Sequence, residues 1–208
     1  MEKVGRVKRK TGRPLSFDRD AALDRAMLLF WRHGYEATSL ADLTAAMGVT
    51  PPSVYAAFGD KKRLFLEAVE RYRSGPVTSE LIIDEAATAR DAAFELMRQA
   101  AIGFTGEATP PGCLLATGAI SCSAAAEDVQ RRLAEIRRDI EGRLAARIAR
   151  GVEAGELARG VDAEALAAHV MAVIQGMSTL ARDGAPRGKL MRVAETAMRA
   201  WPPEPPKT

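Results

Sequence analysis

Two short helical patterns joined by a tight turn constrain the fold of this chain most strongly. They occupy residues 38–62, TSLADLTAAMGVTPPSVYAAFGDKK, where apolar residues recur at helical spacing on both sides of Gly48. Gly48 can adopt the positive φ that ends a helix, and Pro51 fits the first position of the next helix. Thr38 and Thr50 are the predicted N-caps. A helix-turn-helix of this kind places its second helix in the DNA major groove, so the segment predicts DNA recognition rather than catalysis.

The fixed residues around this turn resemble the DNA-binding domain of TetR-family transcriptional regulators. The pattern consists of Thr38, Gly48-Val49-Thr50, Tyr55, Phe58, Lys61 and Leu64, preceded by Phe30 and Gly34-Tyr35. The resemblance extends from Ser16 to about Tyr72. The chain has Ala56-Ala57 where the family often has a histidine or an aromatic pair, which leaves Tyr55 as the main aromatic contact. The resemblance implies a regulator in which a ligand of the C-terminal domain shifts the fourth helix and changes the spacing of two recognition helices.

Helical periodicity continues along the rest of the chain, and no convincing period-two strand pattern interrupts it. The predicted fold class is therefore all-α, with an N-terminal three-helix DNA-binding domain and a larger helical C-terminal domain for ligand binding and dimerisation. Further helices are predicted at 86–104, 113–125 and 127–154, after Asp162, and around Leu190. The predicted segments are a basic flexible arm at 1–15, the DNA-binding domain with its linking fourth helix at 16–75, the C-terminal domain at 76–201 and a Pro-rich tail at 202–208.

Positive charge is concentrated in the part of the chain that carries the helix-turn-helix. Residues 1–75 hold 14 Lys and Arg against 9 Asp and Glu, whereas the remainder holds 16 against 18. This distribution favours a polyanionic partner, which we expect to be a double-stranded DNA operator. The basic segment at 1–15, with Arg13 at its end, is either a solvated tail or an arm that reaches phosphates or the minor groove.

Several other classes of function find little support in the sequence. No apolar run approaches the roughly 18 residues that span a bilayer, and the basic N-terminus lacks the apolar region of a signal peptide. We therefore expect a cytoplasmic protein with no membrane partner. Only two histidines and two cysteines are present, and no phosphate loop, nucleophile elbow or Cys-x-x-Cys motif occurs. The prediction is no metal, no cofactor and no enzymatic activity; an enzyme with an attached DNA-binding domain is the weakest alternative.

The predicted DNA contacts divide into two groups. Hydroxyl and ammonium groups near helix N-termini are candidates for phosphate contact, namely Thr38, Ser39, Tyr55, Lys61 and Lys62. The residues that begin the recognition helix lie nearest the base edges, namely Thr50, Pro51, Pro52 and Ser53. Because this face lacks the Arg, Asn or Gln that read bases bidentately, we expect contacts to thymine methyl groups and DNA shape to carry more of the discrimination.

A small apolar effector and a second copy of the chain are the other expected partners. An apolar cavity between helices would be lined by Phe94, Met97, Phe104, Cys113, His169, Met171 and Met177, although an ordinary core position is the favoured interpretation of each aromatic or methionine residue. Two copies of the last two amphipathic helices could form a four-helix bundle through Leu166, Val170, Val173, Met177, Leu190, Val193, Ala197 and Trp201. His169 is interpreted first as a core or interface histidine, and His33 as a residue that complements a helix C-terminus.

The sequence thus predicts a homodimeric regulator, with repression and release from a palindromic operator by a small apolar ligand as the preferred mechanism. Recognition helices would lie about 34–36 Å apart. Three alternatives stay open: activation rather than repression, constitutive DNA binding without a ligand, and a thiol or electrophile sensor. The last would act through Cys113, which follows Pro-Gly at a predicted helix N-terminus, where the helix dipole can lower the pKa of a thiol. A buried, inert cysteine is the more common situation.

Overall fold

A computed structural model describes residues 17–203, and all of the regular structure in that range is helical, as predicted. Short 3₁₀ turns follow α7 and α10, at Ala124–Ala126 and Met198–Ala200. The basic arm with Arg13 and residues 204–208 lie outside the described residues. The helices are α1 (Arg19–Ala37), α2 (Leu40–Met47), α3 (Pro51–Phe58), α4 (Lys61–Arg73), α5 (Ser79–Glu85), α6 (Ala89–Gly103), α7 (Leu114–Thr117), α8 (Glu127–Glu153), α9 (Ala163–Arg182) and α10 (Arg187–Ala197).

Helices α1 to α4 form the N-terminal unit around an aromatic core. Phe30 of α1 and Phe65 of α4 are both fully buried, and their rings meet edge to face with centroids 5.0 Å apart. Leu43 of α2 and Val54 of α3 complete this core and are also fully buried. Each short helix therefore contributes its apolar stripe to α1 and α4, which leaves the opposite faces of α2 and α3 free.

Helix α1 contains a sharp break at Gly34, where the backbone has φ 81° and ψ 173°. The amide of Tyr35 leaves the helical pattern and donates to the carbonyl of Gly118 at 2.7 Å. A Cβ atom on Gly34 would lie 3.2 Å from that same carbonyl oxygen. Glycine is thus required both for the backbone conformation and for the close approach of the chain that follows α7.

The C-terminal domain is built around the long helix α8. Its apolar face is buried from Val129 to Ile148, and α6 and α9 pack against this helix. Helix α9 begins where the sequence predicted, because the Asp162 side chain accepts a hydrogen bond from the amide of Ala165. Helix α10 packs against α6 and α9 and so completes the domain. No helix among residues 17–203 is both long and apolar enough to cross a membrane.

The sequence missed one helix of this domain and predicted another that is mostly absent. Helix α5 was not predicted, and the expected helix at 113–125 is only the four-residue α7 followed by irregular chain and a 3₁₀ turn. The carbonyl of Gly118 accepts from Tyr35, and both the amide and the hydroxyl of Ser123 donate to Glu36. These contacts with α1 stabilise the irregular conformation in place of a helix. The two cysteines are therefore not on one helix, and both are free thiols.

Candidate nucleic-acid interface

The turn between α2 and α3 has the geometry of a helix-turn-helix. Gly48 adopts φ 68° and ψ 35°, and its amide donates to the carbonyls of Thr44 and Ala45. The amide of Val49 also donates to Thr44, at 3.1 Å. Because the left-handed conformation costs glycine almost nothing, the chain can reverse here within two residues and begin α3 at Pro51.

Helix α2 is capped by Ser39 and not by Thr38, so the predicted cap was wrong by one residue. Ser39 and Asp42 form a reciprocal capping box: the amide of Asp42 donates to the Ser39 hydroxyl at 3.0 Å, and the amide of Ser39 donates to the Asp42 carboxylate at 2.9 Å. The Ser39 hydroxyl and amide hold the pKa of the Asp42 carboxyl below its usual value. Ser39 itself is exposed at the start of α2.

Thr38 cannot serve as the phosphate contact that the sequence suggested. Only 1% of its surface is exposed, and its hydroxyl donates to the carbonyl of Gly34 at 2.7 Å. Thr38 instead satisfies a carbonyl that the break in α1 leaves without a helical partner. Ser39, which is exposed, is therefore the hydroxyl that can reach a phosphate at this end of α2, and Thr38 is not.

Helix α3 presents an uncharged face to solvent. Thr50, Pro51, Pro52 and Tyr55 are exposed, and Ser53 is half-buried. Thr50 occupies the N-cap position, but its hydroxyl lies 2.9 Å from the Ser53 hydroxyl and makes no capping bond to the backbone. With 53% of its surface exposed, Tyr55 is one of the most exposed large apolar side chains among the described residues. Such a face offers hydroxyls and an aromatic ring to DNA, but no bidentate reader of a base.

The two lysines that begin α4 are held by different groups. The ammonium of Lys61 lies 4.4 Å from the centre of the Tyr35 ring, and partial burial lowers the pKa of Lys61. Lys62 makes an ion pair of 2.7 Å with Asp128 at the start of α8, and this hydrogen bond raises the pKa of Lys62. Lys61 and Lys62 are thus adjacent in the chain, but their ammonium groups lie in different surroundings.

Two arginines of α1 position the helix-turn-helix, and sequence reasoning missed both. Arg25 donates to the carbonyl of Met47 at 3.2 Å, at the C-terminal end of α2. Arg19 donates to the carbonyl of Ala57 at 3.2 Å, at the end of α3, and its guanidinium lies 4.4 Å from the centre of the Phe58 ring. Cations complement the C-terminal ends of helices, so α1 fixes both short helices by the same device. No local pattern in the sequence could reveal these contacts, because the partners are 22 and 38 positions apart in the chain.

Most of the residues predicted to line a ligand cavity are packed in the core of the C-terminal domain. Met97, Phe104, Met171 and Met177 are buried in the core, Phe94 is half-buried, and His169 is exposed on the outer side of α9. The structure instead has an open groove of about 680 Å³ between α8 and the start of α9. It is lined by Arg138, Glu141, Gly142, Ala145, Ala146, Ala149, Val161, Asp162, Ala163 and Glu164, none of which the sequence had suggested.

The environment of Cys113 is opposite to that of a reactive thiol. Burial raises the pKa of the Cys113 thiol, and its sulfur accepts a hydrogen bond from the Tyr72 hydroxyl at 3.4 Å. The helix that follows has only four residues, so the expected influence of a helix dipole is small. These surroundings favour the buried, inert cysteine over the alternative of a thiol sensor, and the hydrogen bond joins α4 to the C-terminal domain.

The predicted dimer residues separate into two groups. Val170, Met177, Leu190 and Trp201 are buried inside the protomer and cannot meet a second copy, whereas Leu166, Val173, Val193 and Ala197 are partly exposed. The prediction placed core and surface positions on one face because both are apolar. The most exposed side of α9 carries Ala165, His169, Ala172 and Gly176.

Comparison with known proteins gives matches in both halves of the chain. The family described as bacterial regulatory proteins, tetR family, matches residues 22–68, and the tetracyclin repressor-like C-terminal domain matches residues 90–197. The chain is 39% identical over 198 residues to the HTH-type transcriptional repressor ComR of Escherichia coli K12, which covers 94% of each protein. It is 30% identical over 122 residues to the repressor BdcR of the same organism, covering 58% of this chain and 62% of BdcR.

A solved structure of the TetR-family regulator CifR is similar over nearly the whole chain. The two proteins are 42% identical, and the match has a TM-score of 0.86 and covers 92% of this chain and 100% of the CifR chain. That structure contains a cysteine mutant of CifR complexed with 26-bp double-strand operator DNA.

Proposed function

The chain belongs to the TetR family of bacterial regulatory proteins and is a DNA-binding transcriptional regulator rather than an enzyme; from this premise we propose that it is a homodimeric repressor that a small apolar ligand releases from a palindromic operator. The observation that carries the proposal is the exposed face of α3. The turn at Gly48, which has a left-handed backbone conformation, positions the start of α3, and the hydrogen bond from Arg19 to the Ala57 carbonyl positions its end.

The contacts proposed for DNA are the exposed residues of α3, the start of α2 and the lysines of α4. Tyr55, Ser39, Lys61 and Lys62 would bind phosphates, and the segment from Thr50 to Ser53 would lie against base edges. The operator complex of CifR supports this arrangement, since CifR is 42% identical to this chain. Arg13 would add a phosphate or minor-groove contact from the basic arm. Repression is proposed because both ComR and BdcR are named as repressors.

The proposed dimer joins the exposed faces of α9 and α10 from two copies. The outer side of α9 is small and largely apolar, with Ala172 and Gly176 near its centre and Leu166 and Val173 at its edge. Small side chains allow two helices to approach closely, and the partly exposed apolar residues beside them would be buried by a second copy. A dimer doubles the number of DNA contacts and explains why a palindromic operator is expected.

The proposed effector site lies in the C-terminal domain among α6, α8 and α9, which pack against one another. Methionine side chains there, such as Met97, Met171 and Met177, are flexible and can rearrange around an apolar guest. To move the protein from 1:99 to 99:1 between its two states, the ligand must prefer one state by about 5.5 kcal/mol. A wholly buried apolar ligand can supply a difference of that size.

Footprinting on the DNA that flanks the gene, repeated with cell metabolites, tests this proposal. We expect a protected site with approximate two-fold symmetry, protection that Tyr55→Ala weakens, and release by at least one apolar metabolite. Tyr55→Ala should fold as wild type does, because the Tyr55 side chain is exposed and contributes little to the core. Protection that no metabolite in a broad panel alters would favour a constitutive DNA-binding protein. The absence of any protected site would contradict the proposal as a whole.

A further inference from the structure

An ion pair joins the DNA-binding unit to the C-terminal domain at the start of α4. The ammonium of Lys62 lies 2.7 Å from a carboxylate oxygen of Asp128, which belongs to the first turn of α8. The other carboxylate oxygen of Asp128 accepts from the amide of Val129 at 3.0 Å. Asp128 is therefore held at the N-terminal end of α8, and Lys62 is the member of the pair with the longer side chain.

The pair is open to solvent and can be exchanged for another anion. The Lys62 side chain is 35% exposed and that of Asp128 is 46% exposed. Pairs this exposed contribute little net free energy, because water and salt screen them. Besides Asp128, the charged or titratable groups that act on Lys62 are Tyr35 and Asp60. Lys61 differs, because its ammonium is partly buried against the Tyr35 ring.

We propose that Asp128 sets the operator affinity by competing with the DNA backbone for Lys62. The inference rests on the proposed function, in which Lys62 binds a phosphate. Lys62 lies four residues after the end of α3, so its ammonium is close in the chain to the recognition helix. A phosphate and a carboxylate compete for the same N–H donors. Operator binding must therefore either break the pair with Asp128 or share Lys62 with it.

The position of Asp128 on α8 connects this competition to the C-terminal domain. Helix α8 packs against α6 and α9, among which the effector site is proposed. One turn beyond Asp128, Arg132 makes an ion pair of 3.3 Å with Glu70 of α4. A shift of α8 would thus change the separation of Asp128 and Lys62 directly, and with it the fraction of Lys62 that is free to bind phosphate.

Operator affinity of four variants, measured by fluorescence anisotropy on the footprinted DNA, tests the inference. Asp128→Asn should bind about two- to fivefold more tightly than wild type, because it frees Lys62 from a solvated pair. Glu127→Gln is the matched control: it removes the same charge from the same helical turn, but Glu127 pairs with Arg131 of its own helix, at 3.8 Å. Lys62→Met should bind more weakly and reduce the slope of log affinity against log salt by about one per protomer. Asp128→Asn should have no further effect in the Lys62→Met protein.

The competing explanation is a general electrostatic effect of the carboxylate, or a structural role for the pair. Equal gains from Asp128→Asn and Glu127→Gln would overturn the inference, and so would a gain that persists in the Lys62→Met background. Weaker binding by Asp128→Asn would show that the pair supports the DNA-binding conformation, which also overturns it. In each of these cases wild-type protein still protects its operator, so the proposed function is judged separately by the footprint.

Discussion

At the scale of single residues, the beginning of α2 shows how one hydroxyl can have two roles. Ser39 accepts from the Asp42 amide and donates to the Asp42 carboxylate, at 3.0 and 2.6 Å. The neighbouring Thr38 uses its hydroxyl for the broken end of α1. The end of α1 and the start of α2 are therefore satisfied by two different hydroxyl groups, those of Thr38 and Ser39.

Ser39→Ala should destabilise the protein by about 1 kcal/mol at neutral pH, the usual cost of removing an N-cap hydroxyl. It should also raise the pKa of Asp42 toward the ordinary value of 3.8, because the hydroxyl is the main cause of the lowered pKa. A lowered pKa in the folded state means that ionised Asp42 stabilises the fold above pH 3.8, and that this contribution is lost as the pH falls through the folded-state pKa.

The cost of Ser39→Ala should accordingly become smaller in acid. Urea unfolding at neutral pH and near pH 3 measures this cost, and an NMR titration of the Asp42 carboxyl measures the pKa. Ser39→Thr retains the hydroxyl and serves as the control, with both quantities close to wild type. A cost for Ser39→Ala that does not change with pH would contradict a charge-assisted bond between these two side chains.

At the scale of helices, the break in α1 depends on a backbone conformation that only glycine readily adopts. Gly34→Ala should destabilise the protein by about 3 kcal/mol, since φ 81° with ψ 173° is nearly closed to other residues. The added Cβ would also press against the Gly118 carbonyl at 3.2 Å.

Gly155→Ala is the matched control for the break. Gly155 also has a positive φ, 79°, but no atom lies within 4 Å of the Cβ that it would gain. This variant should lose only about 1 kcal/mol, the cost of a left-handed conformation for alanine. Chemical denaturation of both proteins gives the comparison, and equal losses would show that neither the unusual ψ of Gly34 nor its contact with Gly118 adds to the cost of a positive φ.

The helices that the sequence predicted well are those whose limits depend on their own residues. Helix α8 has a continuous apolar stripe, and α9 begins with an aspartate cap, so periodicity and capping locate both. The chain after α7 is different, because Tyr35 and Glu36 bond to it from α1. Contacts between residues so far apart in the sequence leave no local pattern. The cap of α2 was available in the sequence, since Ser39 and Asp42 have the spacing of a capping box.

The candidate site likewise has features that local residues determine and features that depend on residues far away in the sequence. The turn and the exposed face of α3 follow from local residues, and the structure has both. The groups that hold Lys61 and Lys62 belong to Tyr35 and Asp128, which are distant in sequence. The dimer prediction combined buried and exposed apolar residues, because helical periodicity alone cannot tell a face that packs inside the protomer from one that packs against a partner.

At the scale of the whole molecule, Arg182 connects the end of α9 to the end of α1. Its guanidinium donates to the carbonyls of Trp31 and Arg32 at 3.2 and 2.9 Å. The carbonyl of Trp31 has lost its helical partner, because the amide of Tyr35 donates to Gly118 instead. The helix proposed for dimerisation is thus bonded directly to the helix that carries the DNA-binding unit.

Arg182→Gln should loosen the end of α1 without unfolding the protein. Amides between Trp31 and Thr38 should exchange with solvent roughly fivefold faster, which corresponds to about 1 kcal/mol for two partly solvated charged hydrogen bonds. Hydrogen exchange followed by mass spectrometry measures this change. Arg187→Gln is the control, since Arg187 donates to the hydroxyl and the carbonyl of Thr105, which lies within the C-terminal domain. Similar exchange in both variants would mean that Arg182 does not hold α1.

The proposed dimer makes the most demanding prediction at this scale, because the exposed face of α9 must be buried by a second copy. Ala172→Glu places a charge at the centre of that face, where burial without a partner is costly. We expect the variant to sediment as a monomer and to bind the operator at least tenfold more weakly, since each monomer reaches only one half-site. Its helical content should match wild type, because residue 172 is exposed in the protomer.

Ala149→Glu supplies the comparison that separates dimer loss from a general effect of added charge. Ala149 is also exposed on a helix, but it lines the groove on α8 rather than the outer side of α9. This variant should remain dimeric and bind the operator as wild type does. If Ala149→Glu dissociates the dimer and Ala172→Glu does not, the two copies meet along the groove of α8, and the two recognition helices must be spaced by that contact instead.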